Sequence, residues 1–212
     1  MKRITIIIII IAMALGMLVG CDNEPSAVVK PSQVERGEIT DGYYINKDMG
    51  FKIQIPEGYY VATQEEMDAR FDINQLIEDN EMESLITYLA FFSQKQIDDA
   101  ENNSHIMISI EDASKYGYTD KDRYIEHMAY EKSSTYKSVE GAKVTLSDQT
   151  NVWISTRKFA NRTITLDMEG LFVIFDMYAV IRNGYFLSVM IGAYSEDDLN
   201  YLKGYLDTFI FE

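Results

Sequence analysis

Chemistry that depends on sulfur or imidazole has little to draw on in this chain: Cys21 is its only cysteine, and His105 and His127 are its only histidines. A lone cysteine excludes an internal disulfide and a thiolate zinc site, so the stability of the folded part must come from its core. Proline is equally scarce, and two of the three, Pro25 and Pro31, fall in one short polar stretch. Cations are outnumbered, with 19 Lys and Arg against 34 Asp and Glu in 212 residues. That balance disfavours nucleic acid and anionic lipid surfaces as partners and reads first as solubility and mutual repulsion. The sequence has no G-x-S-x-G, H-E-x-x-H, P-loop or dinucleotide fingerprint, so the nucleophile elbow, the zinc-protease helix and the phosphate-cradling loops have no counterpart.

What is present begins with Lys2 and Arg3, followed by an apolar run from Ile4 to Val19 that holds six consecutive isoleucines, Ile6 to Ile11. A charged start and an apolar centre are the pattern of a secretory signal. The run closes on Leu18, Val19, Gly20 and Cys21, which resembles the lipobox read by bacterial lipoprotein-processing enzymes. An uncleaved membrane anchor is the plainer alternative, but the 17 residues from Ile4 to Gly20 sit at the short end of the roughly 17–25 that span a bilayer. The expectation is a signal peptide over residues 1–20 and a lipid, palmitate among its acyl chains, on Cys21. That lipid would hold the protein at the extracytoplasmic face of the bacterial cell membrane. Without residues 1–20 the chain keeps 17 basic and 34 acidic residues, a net charge of −17.

From Asp22 to Thr40 the sequence is polar and lacks hydrophobic periodicity, so residues 21–40 read as the lipidated cysteine and a flexible tether. Residues 41–212 read as one globular domain with enough chain for a sizeable core. Phe51, Ile53 and Ile55 alternate with Lys52 and Gln54 before Pro56-Glu57-Gly58 turns the chain, which predicts a half-buried strand and its stop. Thr63 and Glu66 predict a capping box for a helix through Met67, Phe71 and Leu76. Met82, Leu85, Ile86 and Leu89 continue at helical spacing, while Thr87 to Phe92 fits helix or strand. Ile106, Ile108 and Ile110 predict another strand, and Thr119 with Asp122 the cap of a helix whose stripe is Ile125, Met128 and Ala129. Strand-like runs follow at Ala142 to Leu146, Val152 to Phe159, Thr163 to Met168 and Leu171 to Ile181. Asn183-Gly184 then predicts a tight hairpin into Tyr185 to Ala193. Ser195 with Asp198 opens a last helix through Leu199, Leu202 and Leu206, and Thr208 to Phe211 ends the chain as a short strand or tail.

This order predicts an α+β domain built on a single twisted, mainly antiparallel sheet covered by helices. Tyr44-Ile45-Asn46, the run from Gly50-Phe51 through Ile55-Pro56-Glu57-Gly58-Tyr59, and the segment from Asp197 to Phe211 together resemble the PsbP-like (Mog/PsbP) α/β/α sandwich. Tyr59 stands where members of that family often have a tryptophan after the turn. The resemblance implies a fold and a class of role, binding or assembly more often than catalysis; it assigns no functional residue.

Candidate chemistry is sparse. His105 leads a strand and His127 lies mid-helix, with Glu131 one turn on to pair with it, so each has a plain structural explanation. Asp120 and Asp122 suggest a calcium loop, but that loop would need a ligand at Tyr124 and glycine at Ile125; two aspartates facing a helix dipole explain the pair better. The most unusual residue is Asp176, an acid inside the apolar run Leu171 to Ile181, where burial without a partner would be costly. The two-residue turn sets Asp176 opposite Ile191 and Tyr178 opposite Val189. Asp176 and Tyr178 are thus either a possible ligand or buried polar site, or a structural feature with Asp176 paired to Arg157, Arg162 or a backbone amide, or exposed at a sheet rim. No metal site and no cofactor is expected.

The expected role is a non-catalytic binding or assembly module at the cell envelope. Its partners would be the membrane, through the lipid on Cys21, and an envelope protein, with no nucleic acid. The alternatives are a carboxylate-dependent envelope hydrolase and, behind it, a small-solute receptor. A cleft around Asp176 would favour the enzyme, and a broad aromatic or acidic face the binder.

Overall fold

The computed structural model describes residues 34–71, 86–97, 102–117 and 119–212. Cys21, most of the expected tether, and the expected helical positions Leu76, Met82 and Leu85 lie outside the described residues. Three short strands come first, β1 (Glu38–Thr40), β2 (Tyr43–Asn46) and β3 (Phe51–Gln54), joined antiparallel. β1 overlaps the end of the expected tether. The reason is an Asp41-Gly42 turn, with φ of 51° and 77°, that folds residues 38–40 back onto β2.

The remaining strands are β4 (Tyr60–Val61), β5 (Ile86–Ser93), β6 (His105–Asp112), β7 (Lys143–Leu146), β8 (Thr150–Ile154), β9 (Arg157–Met168), β10 (Leu171–Arg182), β11 (Tyr185–Ala193) and β12 (Ile210–Phe211). The helices are α1 (Gln64–Phe71), α2 (Lys121–Lys137) and α3 (Glu196–Leu206). Thr87 to Phe92 is therefore strand. Its apolar residues fill two different cores, Leu89, Ala90 and Phe92 one and Tyr88 and Phe91 another.

The single sheet expected from the sequence is two. β1-β2-β3-β12 form a small sheet, while the large one runs β4-β5-β6-β11-β10-β9-β7 with β8 also on β9. The short strands bury Tyr44, Phe51 and Ile53 against the large sheet's face instead of extending its edge. α3 completes that layer with Leu199, Leu202 and Leu206. α2 covers the opposite face, placing Tyr124, Ile125, Ala129 and Tyr136 over Phe175, Met177, Ala179 and Phe186. Both faces of β10 are thus covered, which is why Val173 to Val180 is apolar almost without a break.

Two local readings shift. Val152 to Phe159 is not one strand, because Ser155, at φ 53°, and Thr156 turn β8 back into β9, and β9 then runs unbroken through Thr163 to Met168. Asp120, not Thr119, caps α2 by accepting from the Asp122 amide. The Thr63–Glu66 capping box forms as read, with reciprocal bonds of 2.7 and 3.2 Å. Asn183 and Gly184 both take positive φ, and β10 pairs with β11 in the register inferred from them.

Candidate functional site

β10 sets Asp176 opposite Ile191 of β11 and Thr163 of β9, and Tyr178 opposite Val189 and Asn161. Residues sharing a row share a face, so Asn161, Thr163, Asp176 and Tyr178 converge on the side covered by α3. The Asp176 carboxylate has no solvent access. Its Oδ1 accepts from Asn161 Nδ2 at 2.8 Å and Thr163 Oγ1 at 2.9 Å. Its Oδ2 accepts from the Tyr178 hydroxyl at 2.5 Å and pairs with Lys203 Nζ of α3 at 2.8 Å. Burial first, then the adjacent Asp176 charge, drive the Tyr178 pKa far above the ordinary phenol range. The cation that meets Asp176 is Lys203, not Arg157 or Arg162. Arg162 pairs with Met177 and so faces the other side, where its Nε donates to the Ser147 carbonyl. Arg157 lies beyond the end of the β9–β10 pairing. With two partners on each oxygen, the carboxylate has its bonding capacity filled from within.

The face covered by α2 carries charged and polar groups that the linear pattern did not single out. His105, Gly192 and Phe175 form one row across β6, β11 and β10. The His105 ring leans over Gly192, stacks on Phe91 at 4.8 Å and donates from Nδ1 to the Asn103 carbonyl at 2.9 Å. Burial lowers its pKa to about 4, and the nearby Lys132 charge acts in the same direction. Lys132 is 5% exposed, with its ammonium 5.2 Å from the Phe175 ring and 5.9 Å from that of Tyr136. It has no ion pair among the described residues, and burial alone brings its pKa to about 8. The continuation of the α2 stripe from Ile125 and Ala129 by three and four residues reaches Lys132 and Ser133, the signal that would have found it.

Glu111 is the second such group. The alternation that sends Ile106, Ile108 and Ile110 to one core sends Glu111 to the other face. There it is buried and accepts from the hydroxyls of Tyr116 and, at 2.5 Å, Tyr124. Ser188 Oγ donates in turn to the Tyr124 hydroxyl at 3.1 Å. Burial holds the Glu111 carboxyl above its usual range, and the two phenol bonds pull it part of the way back. His127 is exposed, its ring 6.3 Å from that of Tyr116. Asp120 serves as a helix cap, and Asp122 accepts from Lys121, Gln149 and Asn151. Among the described residues no three His, Cys, Asp or Glu side chains converge as metal ligands would.

Among the exposed aromatic residues, a tyrosine cluster and a lone tryptophan stand out. Tyr59, Tyr201 and Tyr205 cluster beside α3, with Tyr201 at 6.0 Å from Tyr59 and 5.4 Å from Tyr205. Burial pushes the Tyr59 pKa to about 12, and the neighbouring Gln94 side chain pulls it part of the way back. The acidic first turn of α3, Glu196, Asp197 and Asp198, continues the same surface. Trp153 of β8, the chain's only tryptophan, is 69% exposed.

No family model matches the chain, and no curated protein matches it. Among solved structures it is similar to cyanobacterial PsbP from Synechocystis sp. PCC 6803, with a TM-score of 0.48 and 11% identity over 93% of this chain and 100% of that one. It is also similar to LpqN of Mycobacterium tuberculosis, described as involved in cell envelope biogenesis, with a TM-score of 0.40 and 9% identity over 74% of this chain and 79% of that one. PsbP, whose family the phrases around Tyr44–Asn46 and Gly50–Tyr59 resemble, is thus among the structures this chain is similar to.

Proposed function

We propose that the chain is a lipid-anchored extracytoplasmic protein whose folded domain works as a non-catalytic binding or assembly module at the cell envelope. The observation that carries the reading is the closure of Asp176. The one acid the sequence offers as an active-site candidate is buried and has four internal partners. A general acid or base must reach a proton on its substrate, and this carboxylate is committed elsewhere. The Leu18–Cys21 motif supports the address. The partner-facing surface in this reading is the tyrosine cluster with the acidic turn of α3.

Two measurements test it. Labelled fatty acid should enter the wild-type protein and not Cys21→Ser; label persisting in the variant refutes the anchor. In a deletion strain, Asp176→Asn, His105→Ala and His127→Ala should still complement wherever the variant folds and reaches the membrane. Charge reversal at Glu196, Asp197 and Asp198 should weaken complementation more. Loss of function in one of the first three, with abundance and melting temperature unchanged, would mark an active site instead.

One observation favours the second reading, a carboxylate-dependent hydrolase. Glu111 is a buried carboxyl with a raised pKa between two phenols, an arrangement suited to general acid work. Glu111→Gln preserves the shape and removes the proton chemistry. Full complementation by that variant retires the hydrolase.

A further inference from the structure

The β8–β9 hairpin has an unusual tip. Val152 and Ile154 point into the first core, so the alternation turns Trp153 outward. Trp153 faces Lys158 directly across the hairpin, and Ile154 faces Arg157 around the Ser155-Thr156 turn. Neither Arg157 nor Lys158 has an ion pair among the described residues. A tryptophan and two free cations therefore sit within six residues of an otherwise acidic chain.

The position of this tip relative to the start of the domain gives it meaning. The Glu35 amide donates to Asp48 Oδ2 at 2.7 Å, and Asn183 Nδ2 donates to the Asp48 carbonyl at 2.8 Å. Next to Asn183, Arg182 donates to the carbonyls of Met49 and Gly50. The Arg182 guanidinium in turn lies 5.6 Å from the Phe211 ring, and that ring lies 5.9 Å from the ring of Phe159, which faces Val152 across the hairpin. An unbroken path of neighbours thus leads from Glu35 through Asp48 and Arg182 to the hairpin. The chain enters the domain at the end that carries Trp153. Twelve residues, Asp22 to Gln33, separate that entry from Cys21; fully extended they reach about 45 Å at most.

We propose that the Trp153–Lys158 hairpin is the membrane-facing end of the domain, with Trp153 seated in the phospholipid headgroup layer and Arg157 and Lys158 against lipid phosphates. The inference rests on the lipid-anchor reading. Indole rings favour the interface between headgroups and hydrocarbon, and basic side chains are drawn to the phosphates of an anionic surface. Tethering raises the local concentration of that surface, so contacts too weak to recruit a free domain suffice to orient a tethered one. The net charge acts in the same direction, turning the acidic remainder away from the bilayer. The cluster of Tyr59, Tyr201 and Tyr205 sits at Glu57, beyond the end of β3 opposite to Gly50 and Arg182, and then faces away from the membrane.

Because Trp153 is the only tryptophan, its fluorescence reports this one position. The mature lipoprotein is reconstituted into vesicles of phosphatidylethanolamine and phosphatidylglycerol and compared with soluble Cys21→Ser protein lacking residues 1–20. On vesicles the emission should move to shorter wavelength, resist acrylamide and lose most of its intensity to brominated acyl chains. Arg157→Glu with Lys158→Glu should return it to the aqueous position while the protein stays vesicle-bound. Vesicle-bound wild-type protein whose Trp153 remains as accessible to acrylamide as in the soluble form overturns the proposal. Protein that carries no lipid and floats with no vesicle refutes the anchor itself, a separate failure visible before any spectrum is taken.

Discussion

Gly192 and His105 face each other across β6 and β11, and the imidazole occupies the space a side chain at Gly192 would fill: a Cβ there would lie 2.6 Å from Nε2 and closer still to Cε1. The ring cannot simply swing aside, because Phe91 stacks on it and the Asn103 carbonyl holds Nδ1. Gly192→Ala should therefore destabilise the domain by about 1–3 kcal/mol. The displaced imidazole should regain water, and its pKa should return from about 4 toward the ordinary value of 6.5. Denaturant melts and an NMR titration of His105 check both. In the His105→Ala background the Gly192→Ala penalty should shrink, because each removes the other's obstacle; equal penalties in both backgrounds would show the pair to be independent.

Gly184 offers the opposite case. Nothing lies within 4 Å of where its Cβ would be, yet its φ is 83°. Gly184→Val therefore meets no neighbour and loses only to backbone strain, expected at about 1–3 kcal/mol. Gly184→Asn, which tolerates a left-handed backbone, should cost less than the valine variant. Equal melting temperatures for wild type and the valine variant would argue against the turn.

The contrast shows which parts of this fold were legible. Asn183-Gly184 was readable because two adjacent residues carry the whole conformational signal. The same holds for the Thr63–Glu66 box. The Ser155-Thr156 turn was not, since Ser and Thr signal a turn more weakly than Asn-Gly does and strand-like residues flank it on both sides. The second sheet was hidden for another reason. Pairing of Phe211 with Phe51 depends on the far end of the chain returning, and no local pattern records it. Asp176 stood out as an acid in an apolar run, but its cation, Lys203, comes from a helix on which a lysine is unremarkable. Glu111 and Lys132 are illegible for a third reason: the periodicity of each element is defined by its apolar residues, and both occupy its opposite or extended side.

The Asp176–Lys203 pair should respond asymmetrically to mutation. Lys203 is 44% exposed and can rehydrate, whereas Asp176 cannot. Lys203→Met leaves the buried carboxylate its three neutral donors, which hold part of its charge, and should cost about 2 kcal/mol. Asp176→Asn replaces an acceptor with an amide that must turn N–H groups toward at least one existing donor, at a cost of about 3 kcal/mol. Thermal melts of both single variants and the double variant separate these effects. A Lys203→Met loss larger than the Asp176→Asn loss would mean that the pairing, not the buried hydrogen-bond network, carries the stability.

Lys132 should cost stability at neutral pH, with a sign that pH can reverse. Burial favours the neutral amine, so the pKa falls from 10.5 in the unfolded chain to about 8 in the folded one. Below pH 8 both states are protonated and the folded state bears the full penalty of a buried cation, on the order of 3 kcal/mol. Between pH 8 and 10.5 the unfolded state holds more protons than the folded state, so stability attributable to this residue rises with pH, and above 10.5 the penalty is gone. The rings of Phe175 and Tyr136 offset part of it. Lys132→Met keeps the stem, removes the charge, and should raise stability at pH 7 by about 1–3 kcal/mol. The gap between variant and wild type should narrow steadily as the pH is raised past 8. Guanidinium melts at a series of pH values from 7 to about 10.5 supply the curve expected for this linkage. A gap that stays constant across that range would place the Lys132 ammonium in water in the folded state, and a wild-type protein more stable than Lys132→Met at pH 7 would mean that the aromatic rings outweigh the loss of hydration.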